Sequence, residues 1–512
     1  MKKLSFLMAA LLVAMTGCQK EPQTTTDPEK TAEGEVYMTF SVKAVTKSAT
    51  DETGDSNSNA TPETEVGKTE ENAISSIQVF LQNGTDVIKA SSVNLVGGGV
   101  NYTATFKEEA LTAGTTYSIY VICNDSDPID AAGFNANTLV KKVTTVSGQE
   151  LNISADNNFL MTNAKTAITK TISEEELTQC MSPATPLNLG LVEVERTVAR
   201  FDYASTTADD LYSITGNYDV KVFLEEAAVI NVNKASYYFR RVAADATGAS
   251  YVVGGTETPV NYVVDNDWNA KKDLYGTWAS ADAEYLFYYR LEDAKANWPW
   301  VDLTTLADAD NIDGYINGTD RDYNFLAYVS ENTIPGVDEQ INGLSTGVVF
   351  RGYLHDGTAK LNGDEYLYVY ANKYYGNWAA VAAVATANTD AALTAAYNAV
   401  NGSETDLAKC ANAGFTVYTP DADKNYPVYY YYWNRHNDNG KPSEMGVMEY
   451  AVVRNNVYKL AVTKINQFGH PELPEGDPDP VDPSNPDEQV RHYFQVSVKV
   501  LPWTVRVNDI EF

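Results

Sequence analysis

Short runs in which apolar and polar residues alternate, each bounded by turn residues, recur along most of this 512-residue chain. A period of two places one apolar face on a β-strand, and Asn83-Gly84 predicts a hairpin turn between two such runs. The predicted strands are Val36–Val42, Ile77–Leu81, Val87–Val93, Tyr102–Phe106, Tyr117–Cys123, Leu189–Tyr203, Asp219–Glu225, Tyr285–Tyr289, Tyr323–Val329, Val348–Leu354, Tyr366–Tyr370, Tyr426–Trp433 and Val457–Ile465. A short helix is predicted over Ser173–Cys180, and an Ala-rich one over Thr389–Val400 with Asn388 or Thr389 as its cap. Many short strands with few helices indicate a mainly β protein of two consecutive β-sandwich domains.

The chain is acidic, with a formal net charge of −32 from 37 Lys and Arg and 69 Asp and Glu side chains. Nucleic-acid backbones are bound by cationic patches, and the sequence contains none. We therefore expect no nucleic-acid partner, and we interpret the charge as the solvated acidic surface of an exported protein.

The N-terminal residues have the pattern of a bacterial lipoprotein signal. Lys2 and Lys3 precede an apolar run over Leu4–Met15 that is too short to span a bilayer. Small residues then lead to Cys18, which resembles the lipobox, where the cysteine is diacylated and becomes the first residue. We predict a signal peptide over 1–17 and lipidation at Cys18. The alternative is an ordinary signal peptide with an incidental cysteine.

A Thr/Glu/Pro-rich stretch over 19–34, which we expect to be unstructured, is followed by an alternating strand and a long polar segment. The apolar face of this strand is formed by Val36, Met38, Phe40 and Val42. From Ser48 the chain is low in complexity and stays polar to about Asn72, so we predict a loop that packs no core. Lys47 lies at the junction between strand and loop.

The C-terminal residues repeat this strand pattern after an acidic, proline-punctuated tether over 474–489. Within 490–512 the alternation shifts at Leu501-Pro502, which predicts a bulge or a change of sheet, because proline cannot donate to a central ladder. An apolar strand on a stiff tether suggests a segment inserted elsewhere, for example into another molecule. The residues predicted for this role are Val500, Leu501, Trp503, Val505, Val507, Ile510 and Phe512.

The sequence carries no strong catalytic or metal-binding motif. The four histidines have no ligand spacing, and no zinc-protease, Cys-x-x-Cys, Walker-type or Gly-x-Ser-x-Gly pattern occurs. Asp265-Asn266-Asp267 begins like a calcium loop, but Ala270 and Gly276 replace the turn glycine and the bidentate Glu, so we reject an EF-hand. We expect neither enzymatic activity nor a cofactor or metal.

Two further residue groups have structural interpretations. Cys123, Cys180 and Cys410 are an odd, sparse set, and we expect small buried apolar side chains rather than disulfides. The aromatic run Tyr429–Trp433 fits a strand with aromatic cross-strand pairs. Its alternative interpretation is a stacking platform for sugars, which would make the chain an outer-membrane surface lipoprotein that binds glycans through Tyr/Trp-rich strands.

Several of these features together resemble the type V pilus fimbrilins of Bacteroidia, most of all the shaft subunit of the minor, Mfa-type fimbriae. The resemblance covers most of the mature chain, and it is carried by Cys18, Val194–Arg200, Val453–Tyr458, the acidic tether and Val498–Trp503. It implies a structural subunit of a surface fimbrium, with two transthyretin-like β-sandwich domains and a C-terminal donor strand, that serves adhesion and biofilm formation.

The resemblance also implies a route of assembly. Such subunits reach the surface as lipoproteins, and a trypsin-like surface protease cuts after the first strand and removes it with the lipid. The C-terminal strand of a neighbouring copy then fills the groove, and head-to-tail repetition gives a filament. The family is usually cut after arginine, but the first Arg here is Arg196. Lys47, with Ser48 as the new N-terminus, occupies the corresponding place, and Lys43 is the second choice. Alternatively, Lys47 is only a solvated strand end.

The predicted organisation follows from these assignments. It comprises a signal peptide (1–17), a lipidated propeptide with a removable first strand (18–47), an N-terminal β-sandwich domain (48–205), a C-terminal β-sandwich domain (206–473), the tether (474–489) and C-terminal strands including the donor (490–512). The expected partners are other copies of the chain, anchor and tip subunits and the protease, with membrane attachment through lipid before processing. The expected location is a cell-surface fimbrium, reached by way of an outer-membrane lipoprotein precursor.

Overall fold

A computed structural model of the chain describes residues 34–44, 68–96, 100–147, 150–274, 286–291, 293–306, 308–316, 319–336, 342–437, 445–473, 494–502 and 506–508. Within these residues the protein is mainly β, as predicted, with two large sheets, several small ones and a few short helices. None of the described helices is long and apolar enough to cross a bilayer.

The first large sheet has nine strands. The elements up to its last strand are β1 (Glu35–Ala44), α1 (Thr69–Asn72), β2 (Ile77–Asn83), β3 (Asp86–Lys89), β4 (Ser92–Leu95), β5 (Asn101–Lys107), β6 (Thr116–Cys123), β7 (Val140–Lys142), β8 (Thr145–Ser147), β9 (Glu150–Leu151), β10 (Ser154–Ala155), β11 (Asn158–Phe159), β12 (Met161–Asn163), β13 (Ile168–Thr171), α2 (Glu174–Gln179) and β14 (Leu187–Arg196). The strand order is β3-β2-β6-β12-β14-β1-β5-β4, and β13 pairs with β6. Strand β1 therefore lies inside the sheet and not at its edge.

The second large sheet has eleven strands and is built from residues after Thr197. The remaining elements are β15 (Val198–Ser205), β16 (Leu211–Ile214), β17 (Asn217–Ile230), β18 (Val232–Asn233), β19 (Ala235–Tyr237), β20 (Arg241–Ala243), β21 (Tyr251–Val253), β22 (Tyr262–Val263), α3 (Trp268–Leu274), β23 (Phe287–Tyr288), β24 (Val301–Asp302), β25 (Asp308–Ile316), β26 (Thr319–Ser330), β27 (Gly347–His355), β28 (Leu367–Tyr370), β29 (Lys373–Tyr375), α4 (Trp378–Thr386), α5 (Ala391–Val400), α6 (Leu407–Asn412), β30 (Phe415–Tyr418), β31 (Pro427–Trp433), β32 (Asn456–Ile465), β33 (Phe494–Pro502) and β34 (Arg506–Asn508). Its order is β25-β26-β15-β32-β16-β17-β27-β31, with β24 paired to β17, β33 to β32 and β34 to β33.

The long strand predicted over Leu189–Tyr203 is wrong in one respect. It is two strands, β14 in the first sheet and β15 in the second, and the change of sheet falls at Thr197. Alternation alone does not reveal such a change, because the chain is buried without interruption from Val194 to Ala204, across the break at Thr197. The domain boundary after 205 remains a prediction.

Smaller differences have local causes. The predicted strand Val87–Val93 is two strands, β3 and β4. The Ala-rich helix begins after Asp390, whose carboxylate accepts the N–H groups of Ala392 and Leu393 at 3.0 Å, so Asp390 is the cap in place of the predicted residues. The ladder of β33 continues through Leu501 and Pro502, and its irregularity lies in β32 between Val462 and Lys464.

Candidate functional site

Strand β1 occupies a slot in the middle of the first sheet. It pairs in antiparallel fashion with β5, where Met38 lies opposite Ala104, and in parallel fashion with β14, where Met38 lies opposite Leu187. Both edges of β1 are thus hydrogen-bonded, and we call the space between β5 and β14 the strand slot.

The apolar side chains of β1 all enter the core. Four alternate residues are at most 2% exposed: Val36, Met38, Phe40 and Val42. The ring of Phe40 stacks on that of Tyr102 with 5.9 Å between centroids. On the opposite face, the Ser41 hydroxyl donates to the Asn101 side chain at 2.7 Å. The predicted alternation of this strand is confirmed, and its apolar face forms part of the main core.

A bulge in β14 adjusts the register along the strand slot. Asn188 lies opposite Thr39, but Gly190 lies opposite Phe40, so Leu189 is an extra residue on β14. Gly190 has φ +92°, a conformation that residues with a Cβ rarely adopt. The slot therefore has a defined local shape at Phe40.

The residues predicted for lipidation and cleavage, Cys18, Lys47 and Ser48, lie outside the described residues. Lys43, the second choice for cleavage, is exposed but belongs to β1, where it pairs with Glu193. Proteases prefer exposed loops to strands within a sheet, so this pairing disfavours Lys43 as the cleavage point while β1 is in place.

The predicted donor residues are divided by the structure. Val500 and Leu501 lie in β33 and pair with Tyr458 and Val457 of β32. Val507 lies in β34 and pairs with Lys499. The other four, Trp503, Val505, Ile510 and Phe512, lie outside the described residues.

A buried ionic cluster joins the segment after the polar loop to the second sheet. Glu71 of α1 is fully buried, and its carboxylate accepts Arg200 Nη1 at 2.9 Å and the hydroxyl of Tyr328 at 2.6 Å. Arg200 also forms a bidentate pair with Asp202, at 2.9 and 2.8 Å. Pairing to two carboxylates, one of them bidentate, compensates the burial of the guanidinium.

Arg196 extends this cluster to a distant segment. Its Nε donates to the backbone oxygen of Glu71 at 3.0 Å, its Nη2 donates to the Asn72 side chain, and its Nη1 donates to Asn455 Oδ1 at 3.2 Å. The backbone N–H of Asn455 in turn donates to Val198 O at 2.7 Å. We call Glu71, Arg196, Arg200, Asp202, Tyr328 and Asn455 the junction cluster.

Burial and charge oppose each other in the junction cluster. Burial alone would raise the pKa of Glu71, but the charge of Arg200 and the Tyr328 hydrogen bond outweigh it and hold that pKa below its usual value. Burial lowers the pKa of Arg196 to about 10, and only part of this effect is offset by Glu71. Both side chains remain charged at neutral pH.

A second buried arginine ties down the Val453–Tyr458 motif. Arg454 pairs with Glu331 through Nε and Nη2, each at 2.9 Å, and its Nη1 donates to Tyr238 O at 2.9 Å. The two sequence motifs therefore supply arginines that connect segments of the fold. The sequence singled out the motifs as carriers of the family resemblance, but it did not indicate the buried partners of their arginines. Glu71 was missed because it lies at the end of the polar segment, which composition alone predicts to be an unpacked loop.

The aromatic run in β31 is part of the sheet. Tyr430 is fully buried and its hydroxyl donates to Gln467 O at 3.3 Å, whereas Tyr429, Tyr431, Tyr432 and Trp433 are half-buried. The ring of Tyr431 stacks on that of Trp433 at 6.4 Å. These contacts account for the aromatic run by packing within the sheet.

Comparison with known proteins gives two family matches. Residues 37–194 match the model of the major fimbrial subunit protein (FimA), and residues 424–509 match that of the major fimbrial subunit protein type IV, fimbrillin, C-terminal. Among curated proteins, none matches this chain.

Solved structures of fimbrial proteins are similar at low identity. A fimbrilin (FimA) from Porphyromonas gingivalis W83 is 17% identical, with a TM-score of 0.39 over 93% of this chain and 99% of that one. The tip fimbrial protein Mfa3 from Porphyromonas gingivalis is 12% identical, with a TM-score of 0.33 over 92% of this chain and 100% of that one.

The two family matches cover most of the first sheet, including β1, and the C-terminal strands β32 and β33. Fimbrial subunits are structural proteins and not enzymes. The resemblance inferred from the sequence is thereby confirmed: two separate parts of the chain, residues 37–194 and 424–509, match the families of major fimbrial subunit proteins.

Proposed function

We propose that this chain is a shaft subunit of a surface fimbrium that polymerises by strand exchange in the strand slot. In this proposal a precursor lipidated at Cys18 reaches the outer membrane, and a trypsin-like surface protease cuts after Lys47. Strand β1 leaves with the lipid, and the C-terminal strand of a neighbouring copy replaces it. The further partners are anchor and tip subunits, and the filament serves adhesion and biofilm formation.

The position of β1 is the observation that carries the proposal. It is an interior strand, yet it is the only described strand that precedes the predicted cut, so one cleavage frees it from the rest of the sheet. Its departure would expose the facing edges of β5 and β14, separated by roughly 9.5 Å, which is the width of one missing strand. The unpaired edges of β5 and β14, together with the exposed apolar core beneath them, should bind an incoming strand tightly.

The energetics favour refilling the slot. Four fully buried apolar side chains are lost with β1, and each contributes roughly 1.5–3 kcal/mol, or roughly 6–12 kcal/mol together before ordering costs. A donor strand recovers this burial and restores backbone hydrogen bonds to both β5 and β14. Reversal would require the whole strand to leave, which gives the slow dissociation that a filament under shear needs.

The pairing of the C-terminal strands supports a division between a retained and a donated part. Strand β33 pairs with β32 at nine positions, from Phe494 to Pro502. Among the described residues, strand β34 is held by three pairs, Val498–Asn508, Lys499–Val507 and Val500–Arg506. In the proposal β33 stays in its own subunit, and the residues after Pro502 detach at little cost and enter the neighbour.

The junction cluster is suited to hold the subunit together after the cut. Glu71 lies 23 residues after the predicted new N-terminus at Ser48, and its buried ion pair ties α1 to Arg200 of the second sheet. Loss of β1 then leaves the following segment anchored. The slot can open without releasing the first sheet from the second.

N-terminal sequencing of filaments sheared from cells tests this proposal. We expect the sequence to begin at Ser48 and the filament protein to carry no lipid. The matched variants Lys47→Ala and Lys43→Ala separate the two candidate cleavage points, and only the first should block processing. Filaments that begin at Cys18 and retain lipid would contradict the proposal.

A further inference from the structure

Lys271 of α3 is buried together with two carboxyl groups. Its side chain is 0% exposed, and those of Asp265 and Asp267 are 1% and 7% exposed. Its Nζ contacts Asp265 Oδ2, lies 2.9 Å from Asp267 Oδ1, and donates to Asn332 Oδ1 at 2.7 Å and to Thr333 O at 3.0 Å. An amine is therefore held against a carboxyl group where bulk water is excluded.

The carboxyl group of Asp265 is polarised from one side. Its Oδ2 accepts the backbone N–H of Thr333 at 2.8 Å and Asn233 Nδ2 at 3.3 Å. Its Oδ1 accepts no hydrogen bond within the part of the chain that the structure describes. Two fixed donors on one carboxyl oxygen are the arrangement that stabilises an oxyanion when the carbon is attacked. The other oxygen, Oδ1, can then act as the leaving group.

The protonation states are compatible with such an attack. Burial and, next, the neighbouring Asp267 raise the pKa of Asp265 to about 8, so at neutral pH it is mostly the neutral acid. Burial disfavours the charged form of Lys271, but the two carboxyl groups outweigh this effect and raise its pKa. The amine must therefore give a proton to a neighbour before it reacts, and the Asp267 carboxylate is in contact with it.

We propose that Lys271 and Asp265 join in an intramolecular isopeptide bond and that Asp267 carries the proton. Asp267 takes a proton from the ammonium, and Nζ attacks Cγ of Asp265 to form the C–N bond. The negative charge develops on Oδ2, between Thr333 and Asn233. Asp267 protonates the departing Oδ1 hydroxyl as the C–O bond breaks, and then takes the second proton from nitrogen. An ammonium, a carboxylic acid and a carboxylate become an amide, one water molecule and a carboxylic acid.

The existing contacts also fit the product. The new amide oxygen keeps the donors of Thr333 and Asn233, and the new amide N–H keeps Asn332 Oδ1 or Thr333 O as its acceptor. The reaction replaces buried ionic groups by a neutral amide, which removes the desolvation cost of burying charge. It also fixes the start of α3 with a covalent bond that, unlike a disulfide, is not cleaved by reducing agents. The three described cysteines, by contrast, form no disulfide with one another.

The neighbouring amide Asn332 is the less suitable partner. Its Nδ2 donates to Leu344 O at 3.0 Å and to Thr346 Oγ1 at 2.9 Å, and within the described part of the chain it donates to neither aspartate. Within the described residues, Lys271 is the one donor to its Oδ1. The leaving nitrogen would therefore lack a proton source.

Tryptic mapping of the full chain, recovered from cells and denatured before digestion, tests the bond. Trypsin does not cleave after an acylated lysine, so we expect a peptide that ends at Lys272 and weighs one water molecule less than its sequence. Tandem mass spectrometry should give no backbone fragments between Asp265 and Lys271. Asp267→Asn should abolish the bond and Asp267→Glu should restore it, whereas Lys272→Arg, a change beside the site, should leave it intact.

Three results would overturn the proposal. In the first, folded wild-type protein yields only the unmodified peptide. In the second, the peptide has lost ammonia and its fragments link Lys271 to Asn332. In the third, the peptide has lost water but trypsin still cleaves after Lys271. The last would indicate a succinimide at Asp265. None of these results depends on a variant being able to fold, because each is read from the wild-type chain.

Discussion

Arg196 donates to the side chain of Asn455, 259 residues further along the chain, at 3.2 Å from Nη1 and 3.4 Å from the backbone nitrogen. Asn455 has φ +58°, and its own N–H donates to Val198 O at 2.7 Å. The two most distinctive sequence motifs of the chain are thus in direct contact. This contact lies where the chain passes from the first sheet to the second.

The hydrogen bond from Arg196 to Asn455 should be measurable by a pair of substitutions. Asn455→Gly keeps the positive φ accessible and removes only the side chain, so we expect a loss of about 1–3 kcal/mol in the free energy of unfolding. Asn455→Ala should cost about 1–2 kcal/mol more, because Ala is strained at this φ. Urea unfolding of both variants provides the measurement. Equal stability of the two would contradict the role assigned to the backbone conformation.

Glu71→Gln should destabilise the folded subunit strongly. It leaves Arg200 and Arg196 buried with one carboxylate fewer, and breaking a buried pair costs about 3–5 kcal/mol. Glu109→Gln is the matched control, because Glu109 is exposed and lies 4.0 Å from Lys107. Thermal unfolding of both variants is the measurement. If Glu71→Gln lowers the stability as little as Glu109→Gln does, the junction cluster contributes little to the stability of the fold.

The same carboxylate should make the subunit sensitive to acid. The pKa of Glu71 is lower in the folded state than its ordinary value of 4.5, so its contribution is fully present above pH 4.5 and is lost as the pH falls through the folded value. Below about pH 4.5, the free energy of unfolding of Glu71→Gln should therefore vary less with pH than that of wild type. Parallel curves for both proteins over that range would contradict this assignment.

Phe40→Ala should affect the precursor and not the filament. In the precursor it removes a buried aromatic side chain, which costs about 3–5 kcal/mol. In the filament, β1 has been replaced under the proposal, so stability should equal that of wild type. Unfolding of both forms is the measurement, with Ser41→Ala on the opposite face as control. Destabilised filaments would mean that β1 remains in place.

Deletion of residues 503–512 should separate folding from assembly. The chain keeps β33, whose nine pairs with β32 stabilise the second sheet, but it loses the proposed donor. We expect a folded, protease-processed monomer that forms no filaments in electron micrographs. Arg506→Ala is a milder control that keeps the strand and should still polymerise. Filaments from the truncated chain would contradict the donor role.

Periodicity predicted individual strands well and their partners poorly. The alternation of β1 and the hairpin at Asn83-Gly84 are local properties, and the structure confirms both. The position of β1 between β5 and β14 depends on contacts with residues far along the chain. Alternation within one strand carries no information about such contacts. The break at Thr197 was not predicted for the same reason, because the residues on both sides of it, from Val194 to Ala204, are all buried.

The sequence by itself determined the class of protein and the strand that the proposal removes. Alternation, acidic composition and a few motifs are sufficient for this, because they reflect local burial and surface charge. Only the tertiary structure decided that Glu71 anchors a polar segment, that Arg196 contacts Asn455, and that Lys271 lies against Asp265. These contacts form when the folded chain buries charged groups next to one another. The stability of a buried charge depends on its partners in space and not on its spacing along the sequence.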